Sequence, residues 1–501
     1  MSTRTYSDAV EHLNSLQSNA ATIEAARATG GRLSKSAIPE MLEYLDRIGY
    51  KPDDLNRLNV IHVTGTKGKG STCAFVDSIL EEVRPDWKVG LYTSPHLVAV
   101  RERIRINGTP ISEEDFAKFF FEVWDRLEAN ETRADPETLP KPAYFRFLTL
   151  VAWHAFLTLK VDATILEVGV GGTYDSTNIV PKPVVTGVTA LGLDHIGLLG
   201  NTLEQIAWQK GGIYKPGVPA LTVPQPTSGL EVLRQRAAEL KSSEFYVTPE
   251  VEGLRDLKLG LPGQHQYQNA NLAIHLARRF LKDRANIEPD SSLSPIYVEA
   301  LRKAKWPGRC QTVSDPKFPK QTWFLDGAHT LESLDCCMEW FVDPSTSLRI
   351  KESSRPRRIL IFNCTSGRSG TSFLGAMFER LALRLRLHKR DESPQQFFDH
   401  VIFCANVTYA SGNFKGDLAS KTLTDVEVTQ LKTQHELANA WRGIVPTFPD
   451  EFIHVLPSIE HAINVAREQG TGDRPIDVLV AGSLHLVGGV IEVAGLSEVA
   501  L

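Results

Sequence analysis

Short β-rich apolar runs alternate, over the first part of the chain, with segments whose apolar positions recur at helical spacing. The runs at 60–64, 89–93, 163–168, 184–190 and 220–223 predict strands, and the segments 71–83, 113–127, 144–159, 202–213 and 229–240 predict helices. Such alternation is the signature of parallel βαβ units, so a doubly wound, mostly parallel sheet follows. At 305–311 the sequence KWPGRCQ breaks the pattern, and a second strand series begins at 322–325 and continues at 359–363, 400–404, 452–455 and 478–481. A second α/β domain is therefore expected, with the boundary at 305/306. Two stretches, 343–356 and 411–434, read as surface insertions, since loops of that length are uncommon in compact domains.

Chemistry first enters at 60–71, where an apolar run ends in Gly65 and turns through Thr66, Lys67, Gly68, Lys69 and Gly70 into a helix expected to open at Ser71. Glycines let a backbone approach a polyphosphate and aim its N–H groups at it; a helix N-terminus adds partial positive charge and a lysine a full one. Lys69 is the candidate for that lysine. The segment departs from the standard G-x-x-x-x-G-K-[ST] loop, because Gly70 separates Lys69 from Ser71. The bland alternative is a tight strand-to-helix turn with both lysines solvated. With the phosphate reading, the expected fold is α/β: a P-loop-type, mostly parallel sheet domain over 1–305 and a smaller Rossmann-like domain over 306–501.

Composition narrows the classes without naming a ligand. The chain has 501 residues, beyond the roughly 100–200 of a single domain. Hydrophobic residues at 42% and charged residues at 23% exclude a fibrous or disordered class. A net charge of -5 gives no global basic field, so nucleic acid is not expected and any anion must be held by a local cluster of donors. The cysteines Cys73, Cys310, Cys336, Cys337, Cys364 and Cys404 lack metal-ligand spacing and read as free thiols of a reducing compartment. Acidic residues Asp8, Glu11 and Glu24 near the start argue against a secretory leader or a transit peptide. The apolar stretch 147–159 falls short of the roughly 20 residues that span a bilayer. A cytosolic protein without a transmembrane segment is expected, with mitochondrial association left open.

A resemblance becomes specific when the motifs are taken in order. Gly-Thr-Lys-Gly-Lys-Gly-Ser at 65–71 is followed by Tyr-Thr-Ser-Pro-His-Leu at 92–97, Leu-Glu-Val-Gly-Val-Gly-Gly at 166–172, Asp194-His195 and Ile-Ala-Trp-Gln-Lys-Gly-Gly at 206–212. His265-Gln266 with Asn269-Ala270, Trp-Pro-Gly-Arg at 306–309, Asp-Gly-Ala-His at 326–329 and Gly-Ser-Leu-His at 482–485 complete the series. The set resembles the folylpolyglutamate and dihydrofolate synthase family within the Mur ligase superfamily. Two magnesium ions are implied, held by Ser94, Glu167 and His195, with a monovalent cation as a further option. Glu167 ends a β-rich run, where open α/β sheets place ligand sites. His195 is a soft ligand for magnesium, so the resemblance carries it, and a loop histidine is the alternative. Lys210 stands on a helical face with Ile206, Ala207 and Ile213. The resemblance implies that it is carbamylated; a snorkelling lysine is the other reading.

For the second domain the resemblance implies that Arg309, after a Pro-Gly turn, contacts ATP phosphates and that Asp326 takes the nucleotide ribose. His329 and Ser483 would serve the incoming glutamate, and Asn269 the adenine. Taken singly, Arg309 would be a surface arginine, Ser483 a turn former and Asn269 a helix cap. The implied reaction uses ATP to activate the γ-carboxylate of a folate's glutamyl tail as an acyl phosphate, which the amine of L-glutamate then attacks. Folate, L-glutamate and ATP are the expected partners, and a monomer is expected. Joining glutamate to dihydropteroate stays open as the alternative, and a nucleotide-binding regulatory module is the rival of another class.

Overall fold

The computed structural model describes residues 4–17, 36–134, 136, 138–288, 292–349, 355–364, 369–411, 416–418, 430–469 and 474–501. They form two compact units. One comprises 1–96, 100–260 and 265–305; the other comprises Leu97–Ala99, Leu261–Gln264 and Trp306–Leu501.

The first unit is built on an eight-stranded sheet in the order β4-β3-β2-β5-β1-β6-β7-β8. Its strands are β1 Val60–Thr64, β2 Val89–Tyr92, β3 Ile104–Ile106, β4 Thr109–Pro110, β5 Ala163–Glu167, β6 Val185–Val188, β7 Pro219–Thr222 and β8 Glu244–Val247. β2, β5, β1, β6, β7 and β8 run parallel, and β2, β3 and β4 form an antiparallel meander at one edge. Every residue of β1 is buried, as a central strand covered on both faces requires. An aromatic core of Phe116, Phe119, Phe120, Phe147, Trp153 and Phe156 joins the helices Glu113–Ala129 and Tyr144–Leu159, and the helices Tyr6–Ser15 and Ala37–Arg47 pack into the same cluster. The apolar stretch within 147–159 is thus core. Among the described residues no helix is long and apolar enough to cross a membrane.

β3, β4 and β8 escaped the sequence reading. β3 and β4 are very short, and β8 alternates exposed with half-buried residues at the sheet edge, so none presents a continuous apolar run. The first-unit strands that the pattern did predict coincide with the observed ones to within a residue or two.

The second unit carries a six-stranded sheet in the order β13-β12-β11-β14-β10-β9. Its strands are β9 Gln311–Ser314, β10 Gln321–Leu325, β11 Arg357–Phe362, β12 His400–Cys404, β13 Ile453–Leu456 and β14 Ile476–Ala481. Only β9 is antiparallel to its neighbour. Helices Leu331–Phe341, Gly370–Leu387 and Lys432–Ile444 share one core cluster, and Ile459–Glu468 and Leu484–Ala494 share another. The first expected insertion opens on a packed turn, and the second ends one turn inside a helix. Ser347 and Leu348 are buried, and the Ser347 hydroxyl donates to the Phe341 carbonyl, so the turn after Phe341 is packed. Gln434 is buried in the helix Lys432–Ile444 and donates to Asn363 Oδ1 at 2.9 Å. Residues 350–354, 412–415 and 419–429 of these stretches lie outside the described residues.

Two carboxyls sit close together inside the first unit. Asp77 and Glu81 lie one turn apart on the helix Lys69–Val83, and a side chain added at Gly108 would come within 3.2 Å of Glu81 Oε1 and 3.8 Å of Asp77 Oδ2. Asp77 Oδ1 and Glu81 Oε1 are buried without a hydrogen-bond partner among the described residues. Burial, then the charge of Glu81, pushes the Asp77 carboxyl well up, against the opposing charge of Arg105. A carboxyl raised in the folded state stabilises fully below its unfolded pKa, and that contribution is lost as pH rises through the folded value. Asp77→Asn is therefore expected to stabilise the protein at about pH 8 by roughly 1–3 kcal/mol. The gain should shrink toward about pH 5, as urea unfolding at the two pH values would read.

Candidate active site

The loop after β1 departs from the expected helix start. The helix begins at Lys69, two residues before Ser71, with Gly68 as its N-cap at φ 91°. A left-handed conformation suits glycine, and here space demands it too: a Cβ at Gly68 would lie 2.1 Å from Asn269 Oδ1. Asn269, on the helix His265–Ala285, is held by its Nδ2 donating to Gln266 Oε1 at 2.9 Å, and Gln266 in turn donates to Ser71 Oγ at 3.3 Å. This chain of amides fixes the loop's end and the first helical turn. Gly68→Ala is expected to lower ATP-dependent turnover at least roughly tenfold, since displacements of about 1 Å cost that much or more at a reacting centre. Initial rates at saturating ATP check it.

Lysines dominate the rim. Lys69 Nζ donates to the Gly65 carbonyl at 3.0 Å, and Lys210 Nζ, from the helix Leu203–Gly211, donates to the same oxygen at 2.7 Å. Lys210 is 4% exposed, which removes the snorkelling reading. Burial first, then the charge of Lys69, drives its pKa well below the ordinary lysine value, against Asp194 and Asp175. Lys67 pairs with Asp194 at 3.1 Å. The backbone N–H groups of Thr66 and Lys67 both donate to the Ala190 carbonyl, at 2.9 and 3.2 Å, so those two amides face inward. The free donors at the helix start are those of its first turn, which have no partner within a helix.

Glu167 ends β5, its backbone in register with Val63 of β1, and its Oε2 accepts from the Ser94 backbone N–H at 3.0 Å. It is 4% exposed, and its charge helps push up the neighbouring Cys73 thiol, whose shift comes first from burial. His195 caps a short helix at φ 51° and is exposed; its backbone N–H donates to Asp194 Oδ1 at 2.9 Å. Desolvation, followed in the opposite sense by Asp194 and then by the charges of Lys69, Lys210 and Lys67, leaves its imidazole pKa lowered. A neutral imidazole is the form that binds metal. Among the described residues no group of three His, Cys, Asp or Glu side chains could hold a metal ion by itself. The donor set fits magnesium all the same, because that ion takes one or two protein oxygens and fills its shell with phosphate and water. Ser94 and Glu167 are such oxygens.

In the second unit two turns meet at the sheet's carboxyl edge. Asp326, just after β10, is clamped: Oδ2 accepts from the Cys310 backbone N–H at 2.8 Å and from its thiol at 3.0 Å, and Oδ1 accepts from the Ala328 N–H at 2.7 Å. His329 Nδ1 lies 2.7 Å from the Gly327 carbonyl. The Gly482 N–H donates to the Ala328 carbonyl at 2.8 Å, which joins the 326–329 turn to Ser483. Ser483 is the N-cap of the helix Leu484–Ala494. Arg309 lies beside Gly327 and donates to the Gly308 carbonyl at 3.1 Å. The sequence reading did not single out Cys310, Asp194 as a partner of Lys67, or Asn406, whose Nδ2 donates to Ser483 Oγ at 3.4 Å. Each acts through a partner distant in sequence, which no local pattern encodes.

Fold and loop together define a two-unit α/β protein with a phosphate-binding type of loop. No family model matches the chain. It is 44% identical over 502 residues to a folylpolyglutamate synthase of Saccharomyces cerevisiae (strain FostersO), covering 98% of this chain and 87% of that protein. The chain belongs to the folylpolyglutamate synthase family. Among solved structures, folylpolyglutamate synthase of Thermotoga maritima matches with a TM-score of 0.65 at 23% identity, over 92% of this chain and 93% of that one. The Mycobacterium tuberculosis folylpolyglutamate synthase complexed with ADP and AMPPCP matches with a TM-score of 0.65 at 22% identity, over 94% and 98%. These two share its fold.

Proposed function

We propose that the protein uses ATP to add L-glutamate to the γ-carboxylate of the glutamyl tail of reduced folates, releasing ADP and phosphate. The observation that carries this is the convergence of Lys69 and Lys210 on one carbonyl oxygen, that of Gly65, beside Lys67. The ammonium groups of Lys67 and Lys69, with Asp194 as the paired acid, make a local positive field suited to a polyphosphate, and the buried Lys210 steadies the loop through the Gly65 oxygen. In this reading the first-turn N–H groups of Gly70 and Ser71 and the Lys69 ammonium hold the phosphates, with Gly65, Thr66, Lys67 and Gly68 shaping the loop and Asn269 reaching the adenine. Positioning and charge are what phosphoryl transfer chiefly asks of a protein.

Ser94 and Glu167, joined by His195, would hold magnesium, two ions in the full complement, which offsets charge between ATP and the carboxylate when bound. Lys210, its amine favoured in the neutral form by burial, is poised to add carbon dioxide: the nitrogen lone pair attacks the carbon and one proton leaves, giving an anionic carbamate. Arg309 and Asp326 serve the ATP phosphates and ribose, and His329 and Ser483 serve L-glutamate. Free thiols suit a reducing compartment, so a cytosolic monomer is proposed, with a mitochondrial pool as an addition. Glutamate-dependent ADP release, measured with tetrahydrofolate and dihydropteroate offered in parallel, tests the whole: release with tetrahydrofolate is expected. Release with dihydropteroate alone would replace the reading by dihydrofolate synthesis, and release independent of glutamate would end it.

A further inference from the structure

At the carboxyl ends of β12, β11 and β14, adjacent in the second unit's sheet, three polar residues follow in turn: Asn406, Asn363 and Ser483. Parallel sheets place ligands outside these ends. Asn363 is satisfied, since Gln434 donates to its Oδ1 at 2.9 Å. Asn406 is not. Its Nδ2 reaches past the end of β11 to Ser483 Oγ at 3.4 Å, while its Oδ1 is buried and has no hydrogen-bond partner among the described residues. A buried acceptor left unmade costs about 1–3 kcal/mol, so a group that satisfied it at this strand end would be bound the more tightly. Such a group must be a donor, because the free atom only accepts. Ser483 Oγ, already accepting from Asn406, retains its own proton to donate. Side by side, an unfilled acceptor and a hydroxyl donor match the ammonium and the carboxylate of an α-amino acid.

We infer that Asn406 is a specificity-determining residue for the incoming amino acid, its Oδ1 accepting from the α-amine of L-glutamate while Ser483 donates to the α-carboxylate. The inference rests on the ligase reading and adds a residue to it. Because the amine is the attacking group, Asn406 also orients the nucleophile, and an amino acid lacking a free amine has nothing to place there.

The test is steady-state kinetics on the full chain with ATP, tetrahydrofolate and L-glutamate, and with glutarate, which is glutamate without the amine, as a competitor of glutamate. Asn406→Leu is expected to raise the KM for glutamate roughly 10- to 100-fold, as loss of a hydrogen bond to a charged group does. KM for ATP and for folate, and the inhibition constant of glutarate, should stay unchanged. Asn406→Asp, which keeps an acceptor oxygen of the same shape, should hold the glutamate KM within roughly threefold of the parent. An unchanged glutamate KM in Asn406→Leu overturns the inference, as does equal weakening of glutarate. Should the leucine variant not fold, a rise of tenfold or more in Asn406→Asp overturns it instead. Parent activity separates the two levels. A parent that ligates glutamate while Asn406 proves indifferent sinks the inference alone, whereas a parent that never couples ADP release to glutamate sinks the ligase reading beneath it.

Discussion

Lys69→Ala lowers glutamate-dependent ADP release by roughly 10²-fold or more, with the unfolding midpoint close to that of the parent. The expectation follows from the first position of the helix Lys69–Val83, where the ammonium lies 3.0 Å from the Gly65 carbonyl at the end of β1. A charge fixed there before substrate arrives costs no reorganisation during phosphoryl transfer, which is why its removal falls on kcat more than on folding. Lys69→Arg separates charge from shape: the guanidinium keeps the charge but is planar and bulkier, so only partial recovery is expected. Wild-type turnover in Lys69→Ala would remove the loop from the chemistry.

Lys210→Ala is the second large effect, and its direction on stability sets it apart. Activity should fall roughly 10- to 100-fold, the range seen when groups that support a metal site are removed. Stability should hold or rise, because a buried amine beside the Lys69 charge is costly to fold. Added formate or acetate should restore part of the activity by returning an anion to the vacated space, and stripping carbon dioxide from the buffer should slow the parent protein. Intact-peptide mass measurement showing unmodified Lys210 in a fully active, carbon-dioxide-free preparation would refute the carbamate while leaving Glu167 and Ser94 in place.

How much of this was legible in sequence depends on the distance between partners. The loop declared itself because glycine and lysine chemistry is local, and β1 lies at residues 60–64 as the apolar run predicted. The start of the following helix did not, because Gly70 looks like a helix breaker; in the structure the left-handed turn is made by Gly68, and Gly70 is already helical. Lys210 could be seen to sit on an apolar face, but its partner is the carbonyl of Gly65, 145 residues away. No periodicity encodes such a pairing. The same holds for Asn406 and Ser483, 77 residues apart, and for the Cys310 thiol on Asp326. The end of the second expected insertion was misplaced for a related reason: Gln434 looks like part of a polar stretch, yet its amide is buried against Asn363.

The free thiols have a practical meaning. Five of the six, Cys73, Cys310, Cys337, Cys364 and Cys404, are buried, and Cys336 is partly so. Burial holds Cys404 and Cys336 up to about 12 and about 11, with the charges of Asp335 and Glu339 adding to the second. A thiol that stays protonated and covered reacts with an alkylating reagent only when its surroundings open. The native chain therefore carries its own clocks: Cys73, on the helix that begins at Lys69, times excursions of the first unit, and the other five time those of the second. Nucleotide that settles on the lysine-rich loop should slow the Cys73 clock selectively, turning an inert core residue into a gauge of occupancy.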